Sequence, residues 1–276
     1  MAIQDLVVHI DSSQAVEKRL EAAIRLAQTH GAHLTGLYVI PTTDFPAFME
    51  VPSAFEAIQK VRESQAQEAE TAQVAFEEAT KRSGIRAEWR CTEGGLTDKL
   101  AESARYADLM ILGQHNPDEH DANRGLADRL VLEIGRPCLI IPYIGARESL
   151  GQRVLVAWNA SREAVRAVND ALPILQAADR VVVLAVNPAY GEAGEGDIPS
   201  ADICHHLARH GVHAEAESTV AQDIDVGSLL LSHAADMGAD MIVMGAYGHS
   251  RWREMVLGGV SREMFQAMTV PVFMSH

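Results

Sequence analysis

Little in this sequence suggests a covalently or metal-held architecture. Its 276 residues include three cysteines, Cys91, Cys138 and Cys204, an odd number without close CxxC spacing, so neither a disulfide framework nor a zinc knuckle is indicated. Aromatic residues make up 5% of the chain, and no uninterrupted apolar run approaches the ~18 residues that a membrane-spanning helix needs. The opening Met1-Ala2-Ile3-Gln4-Asp5 has no basic stretch leading into an apolar core, so the cytoplasm is the expected location. Positive charge is scarce as well. Lys and Arg number 23 against 38 Asp and Glu, and the resulting net charge of -15 repels both nucleic acid and anionic membrane.

Several catalytic signatures are also missing. No Gly-x4-Gly-Lys-Ser/Thr sequence occurs, and the stretch from Gly151 to His276 has no lysine at all, which excludes a P-loop NTPase. Asp11-Ser12-Ser13 and Asn159-Ala160-Ser161 stand where a dinucleotide site would need glycines. There is no Gly-x-Ser-x-Gly elbow and no His-Glu-x2-His helix. His206 and His210 share a helix face at i, i+4, next to Cys204, His205 and His213, but spacing places no carboxylate or thiol with them. A solvated histidine-rich face is expected there. Cys138, within Pro137-Cys138-Leu139-Ile140-Ile141, reads as core.

What is present is enough apolar residue, 47%, for full cores, and an internal repeat. Ala107-Asp108-Leu109-Met110-Ile111-Leu112-Gly113 matches Ala239-Asp240-Met241-Ile242-Val243-Met244-Gly245. The strand-like openings Leu6–Ser13 and Val154–Ser161 correspond, as do the closing runs Pro137–Ile141 and Pro271–Met274. Each copy alternates strands with helical stretches, which means a parallel α/β sheet. Two tandem five-stranded parallel-sheet domains flanked by helices are therefore expected, over residues 1–145 and 151–276. In the first helix, Val16, Leu20, Ala23, Ile24 and Ala27 recur at helical spacing, with Gly31 as the C-terminal cap. The first copy also carries an insertion over about Thr42–Phe55, a lid or a plain surface excursion, before a charged helix from about Ala57 to Lys81.

The candidate site follows the strand Met241–Met244. Gly245 and Gly248 would allow a turn and a close approach, and Gly258 and Gly259 would free amides at the head of a helix from about Val260 to Met268. Backbone N–H groups and the helix dipole favour an anion such as phosphate at that point. The bland alternative is that the glycines only make turns.

With these features the chain resembles a tandem universal stress protein, with two such domains in one polypeptide, a fold of the adenine nucleotide alpha hydrolase-like type. The family pattern is Gly-x2-Gly-x9-Gly-Ser/Thr after the fourth strand, an acidic residue ending the first strand and a proline opening the fifth. Gly245, Gly248, Gly258, Pro137 and Pro271 fit it. Gly259 departs from it at the Ser/Thr position, and Asn159 replaces the acidic residue that contacts adenine in nucleotide-binding members, although an amide can still read an adenine edge. Ser261 keeps a hydroxyl in the helix. The resemblance places Ala157, Val186, Met244, Tyr247 and Val260 at the pocket wall, and Trp158 flanks it.

The first copy keeps Asp11, Val39 and Gly113, but Asn116 and Arg124 stand at the second and third glycine positions. Its loop Pro117-Asp118-Glu119-His120-Asp121 sets carboxylates against a triphosphate. The resemblance thus implies a regulator whose second unit binds ATP or a related adenine nucleotide, with or without Mg²⁺. It is expected to be no enzyme beyond at most a weak ATPase, and to have an unidentified regulatory protein partner. Its alternative is a nucleotide-free interaction module with both sites vestigial. Pairing of the two fifth strands would make the chain an intrachain pseudo-dimer, and further homodimerisation stays open.

Overall fold

The computed structural model describes residues 2–42, 52–119, 124–187, 200–246 and 259–276. The first half runs β1 (Asp5–Ile10), α1 (Val16–His30), β2 (His33–Pro41), α2 (Pro52–Ser83), β3 (Ala87–Gly94), α3 (Leu96–Ala104), β4 (Leu109–Gly113), α4 (Leu126–Glu133) and β5 (Cys138–Ile141). The second half runs β6 (Arg153–Trp158), α5 (Arg162–Asp170), α6 (Leu172–Ala177), β7 (Arg180–Val186), α7 (Ala201–Arg209), β8 (Ala214–Thr219), α8 (Val226–Asp236), β9 (Met241–Gly245), α9 (Val260–Ala267) and β10 (Val272–Ser275).

All ten strands form one sheet in the order β3-β2-β1-β4-β5-β10-β9-β6-β7-β8. Within each half every pairing is parallel, and the halves meet at β5 and β10, which are antiparallel, with Val272 opposite Ile140 and Phe273 opposite Leu139. The pseudo-dimer expected from the fifth strands is thus a continuous sheet. Strand alternation divides the core between its two faces. Leu6, Val8 and Ile10 of β1, with Val154 and Val156 of β6, pack under α1, α2, α5, α6 and α7. Val7 and Leu155 pack on the opposite side under α3, α4, α8 and α9. Such burial stabilises each Leu or Ile by about 1.5–3 kcal/mol.

Right-handed crossovers account for the helix placement. From β1 the chain moves outward through β2 to β3, then returns past β1 to β4, so the helices switch faces at that reversal. The β1/β4 and β6/β9 crevices are where ligands settle in open parallel sheets. Cys138 is fully buried, and burial pushes its thiol far above the ordinary cysteine range, in line with its reading as core. Of the insertion over Thr42–Phe55, residues 43–51 lie outside the described residues. The ring centroids of His206 and His210 lie 4.6 Å apart with the planes tilted by 51°, and among the described residues no group of three His, Cys, Asp or Glu is placed to hold a metal ion.

Candidate functional site

Three neighbouring strands end at the second crevice. Register pairs Ala157 of β6 with Met244 of β9 and with Leu184 of β7, so Ala157, Val186, Met244 and Gly245 line one sheet edge. Ala157, Val186 and Val260 are half-buried and pack with Met244 on the side of the sheet covered by α8 and α9. Trp158 projects to the opposite face, against the cluster beneath α5 and α7. The structure therefore separates it from the other wall residues. Tyr247, Gly248 and Gly258 lie outside the described residues.

The turn after β6 is held locally. Asn159 is exposed; its Oδ1 accepts from the Ser161 N–H at 3.1 Å, and Ser161 Oγ in turn caps α5 by accepting from the Ala164 N–H at 3.2 Å. That leaves the Asn159 amide nitrogen as the group able to address a ligand. At α9 the N-cap is Gly259, with φ -69 and ψ 168 and no side-chain cap, so its first-turn amides meet no side-chain acceptor at that position. Ser261, the second residue of the helix, is buried.

Gly245 serves packing more than the sequence implied. A Cβ there would lie 2.5 Å from the Ala164 nitrogen, so the first turn of α5 fills the space the missing side chain leaves. In the first half the corresponding space is taken differently. A Cβ on Gly113 would collide with the Arg19 guanidinium, which is almost fully buried. Arg19 Nη2 donates to Asp11 Oδ1 at 2.6 Å, and the same oxygen accepts from the Ser13 N–H and hydroxyl at 3.1 and 2.6 Å. Burial alone would raise the Asp11 pKa, but the Arg19 charge, with His9 3.7 Å away and the Ser13 hydroxyl, holds the carboxyl well below the usual range. Asp11, the first unit's counterpart of Asn159, is thus consumed by an internal ion pair. Asn116 is used similarly, since it donates to Glu119 at 3.2 Å and accepts from the Asp118 N–H at 3.1 Å.

Three contacts at the second site were not anticipated. The His276 ring nitrogen Nδ1 lies 2.9 Å from the Ala246 carbonyl, immediately after Gly245. Gln114, at the end of β4, donates to the Phe265 carbonyl at 2.9 Å and so ties α9 to the first unit. Glu263, in the first turn of α9, sits beside Asp225 at the α8 N-cap. Burial and this shared hydrogen bond raise Glu263, while the bonds from Glu263 and the Ser228 amide lower Asp225 to about 2. Arg19 had a signal in sequence, an arginine three residues after Val16 on the apolar face of the helix. The other three depend on distant segments and had none.

The model of the Universal stress protein family matches this chain twice, over residues 2–135 and 151–276. A universal stress protein of Synechocystis sp. is 25% identical over 189 residues, 65% of this chain and 61% of the relative. Another, from Bacillus subtilis, is 38% identical over 65 residues, 24% of this chain and 42% of the relative. The chain spans less than two thirds of the length of either. Among solved structures, a universal stress protein from Archaeoglobus fulgidus DSM 4304 superposes with a TM-score of 0.76 at 17% identity, over 99% of this chain and 97% of that one. That likeness concerns the fold.

Proposed function

We propose that this chain, which belongs to the universal stress protein family, is a stress-response regulator that binds ATP or a related adenine nucleotide in its second unit. The observation that carries this reading is the crevice where β6 meets β9, with an apolar edge of Ala157, Val186 and Met244 beside an α9 that begins without a side-chain cap. The apolar edge suits a base. With its oxygen taken by Ser161, Asn159 would meet the adenine through Nδ2, as a donor to a ring nitrogen. The amides of Gly259 and Val260 suit phosphate oxygens, joined in the sequence pattern by Gly248 and Gly258. Mg²⁺ would arrive with the phosphates, since the described residues offer no carboxylate cage for it.

The first unit is proposed not to bind nucleotide, because Asp11 is already paired with Arg19 and the sequence Pro117-Asp118-Glu119-His120-Asp121 sets carboxylates against phosphate. No described side chain is placed as an evident base for hydrolysis, which favours regulation over turnover, with slow ATPase activity at most. Calorimetric titration of ATP into the intact chain, with and without Mg²⁺, tests the reading. Saturable binding at one site per chain supports it. Absence of heat at millimolar ATP overturns it and leaves a nucleotide-free interaction module.

A further inference from the structure

The first unit contains a cavity of about 480 Å³ on the outer side of the β1–α1 turn, between α1 and α2. The volume falls within the range of about 300–1,000 Å³ that small-molecule sites occupy. Its floor is apolar, made by Ile10, Val16, Leu20, Ala72 and Phe76. Phe76 is almost fully buried and its ring centroid lies 5.6 Å from that of Trp89, which lies 6.0 Å from that of Tyr38, both pairs tilted, so a packed aromatic cluster backs the cavity.

The rim has one sign of charge. Glu17 comes from α1 and Glu68 from α2, and among the described residues neither has a cationic partner. Among the described residues, the donors to Glu68 are the hydroxyls of Ser12 and Ser64, at 3.4 and 3.3 Å. The arginine next to this site, Arg19, is turned inward to Asp11 and does not neutralise the rim. Two carboxylates over an apolar, aromatic-backed floor disfavour anions, adenine nucleotides included, and favour a cation that brings its own apolar body.

We propose that this cavity binds a small amine with an aromatic-sized apolar body, the body against Val16 and Ala72 above the buried Phe76 and the ammonium at the Glu17 and Glu68 rim. The site is separate from the nucleotide crevice of the second unit and does not depend on it. Three matched probes test the assignment by calorimetry on the full chain: naphthylethylamine, the neutral naphthylethanol and the anionic naphthylacetate. The expected order is amine, then alcohol, then carboxylate, with the amine at least about tenfold tighter than the carboxylate, or 1.4 kcal/mol.

Two variants locate the site. The double substitution Glu17→Gln with Glu68→Gln should bring the amine down to the affinity of the alcohol and leave the alcohol unchanged. Ala75→Trp, at an exposed rim position of α2, should fill the cavity and abolish binding of all three probes, with the circular dichroism spectrum and thermal midpoint preserved. Failure of every probe to saturate at millimolar concentration overturns the proposal. So does binding that survives Ala75→Trp, or a carboxylate that binds as tightly as the amine.

Discussion

Replacing Gly259 by Asp separates the two roles assigned to the start of α9. The residue has φ -69 and ψ 168, an extended conformation open to any L-residue, and it is the N-cap of an eight-residue helix that carries no side-chain cap. An aspartate there can accept from an orphan first-turn amide, a gain over glycine of a few tenths of a kcal/mol. Its charge adds about 0.3–1 kcal/mol with the helix dipole, and the loss of glycine freedom in the unfolded chain about 0.4–1 kcal/mol. Glu263, already in the first turn, reduces the charge term, so the net expectation is about 1 kcal/mol and a rise in Tm of roughly 2 °C. For a bound nucleotide the same carboxylate stands against phosphate. One pair of unit charges at about 5 Å and an effective dielectric near 20 costs about 3 kcal/mol, roughly a hundredfold in affinity. Calorimetric ATP titration and a ligand-free thermal melt of the same variant measure both effects. Stability should rise while affinity collapses. Unchanged affinity would refute the placement of phosphate at this helix end, and a lowered Tm would refute the capping geometry.

Other perturbations probe the rest of the molecule. Arg19→Met strands the Asp11 carboxylate in a nearly closed site and should cost about 3–5 kcal/mol in urea unfolding at neutral pH; a cost under 1 kcal/mol would deny the ion pair its role. Because Asp11 is depressed from 3.8, its contribution is complete above about pH 4 and is lost as the pH falls toward the folded value, so the variant should show a flatter acid limb than the parent. Phe273→Ala empties a side chain that is 1% exposed at the seam between the units and should cost about 3–5 kcal/mol by denaturant melt. Glu263 is raised in the folded state, so its protonated form stabilises the protein below its ordinary value of 4.5, and that benefit fades as the pH rises through the folded value. Glu263→Gln keeps a neutral donor to Asp225 and should raise Tm at pH 7, with the advantage shrinking in acid; a constant offset across pH would contradict the shared proton.

The architecture was legible because it rests on repetition and period. The match of Ala107–Gly113 with Ala239–Gly245 located β4 and β9, and the apolar runs at Pro137 and Pro271 located the strands that join the units. Helix ends were read to within a few residues, except that α2 begins at Pro52 and not near Ala57, because a proline that reads as loop in sequence is tolerated at the first position of a helix, where its missing N–H costs nothing. The site was less legible. Gly245 was read as room for a ligand, whereas the structure gives that room to α5, a contact set by tertiary packing that no local pattern reports. Trp158 was set beside the site by adjacency in sequence, yet strand alternation sends it to the other face. The cavity between α1 and α2 is assembled from residues more than forty positions apart, and spacing along the chain carries no trace of it.

Joining β5 to β10 also decides where the sheet stops. A single unit would leave its fifth strand as an open edge, and the seam removes both such edges, leaving β3 and β8 as the outer margins. Those margins are guarded: Glu88, Arg90 and Glu93 punctuate β3, and Glu215 and Glu217 punctuate β8. On β8 these carboxylates are held by neighbours within the unit, Glu215 by Arg180 and Glu217 by His233, each at 2.8 Å, so charged and paired side chains line that margin. The tandem arrangement thus spends both fifth-strand margins on each other and leaves charged strands at the two that remain.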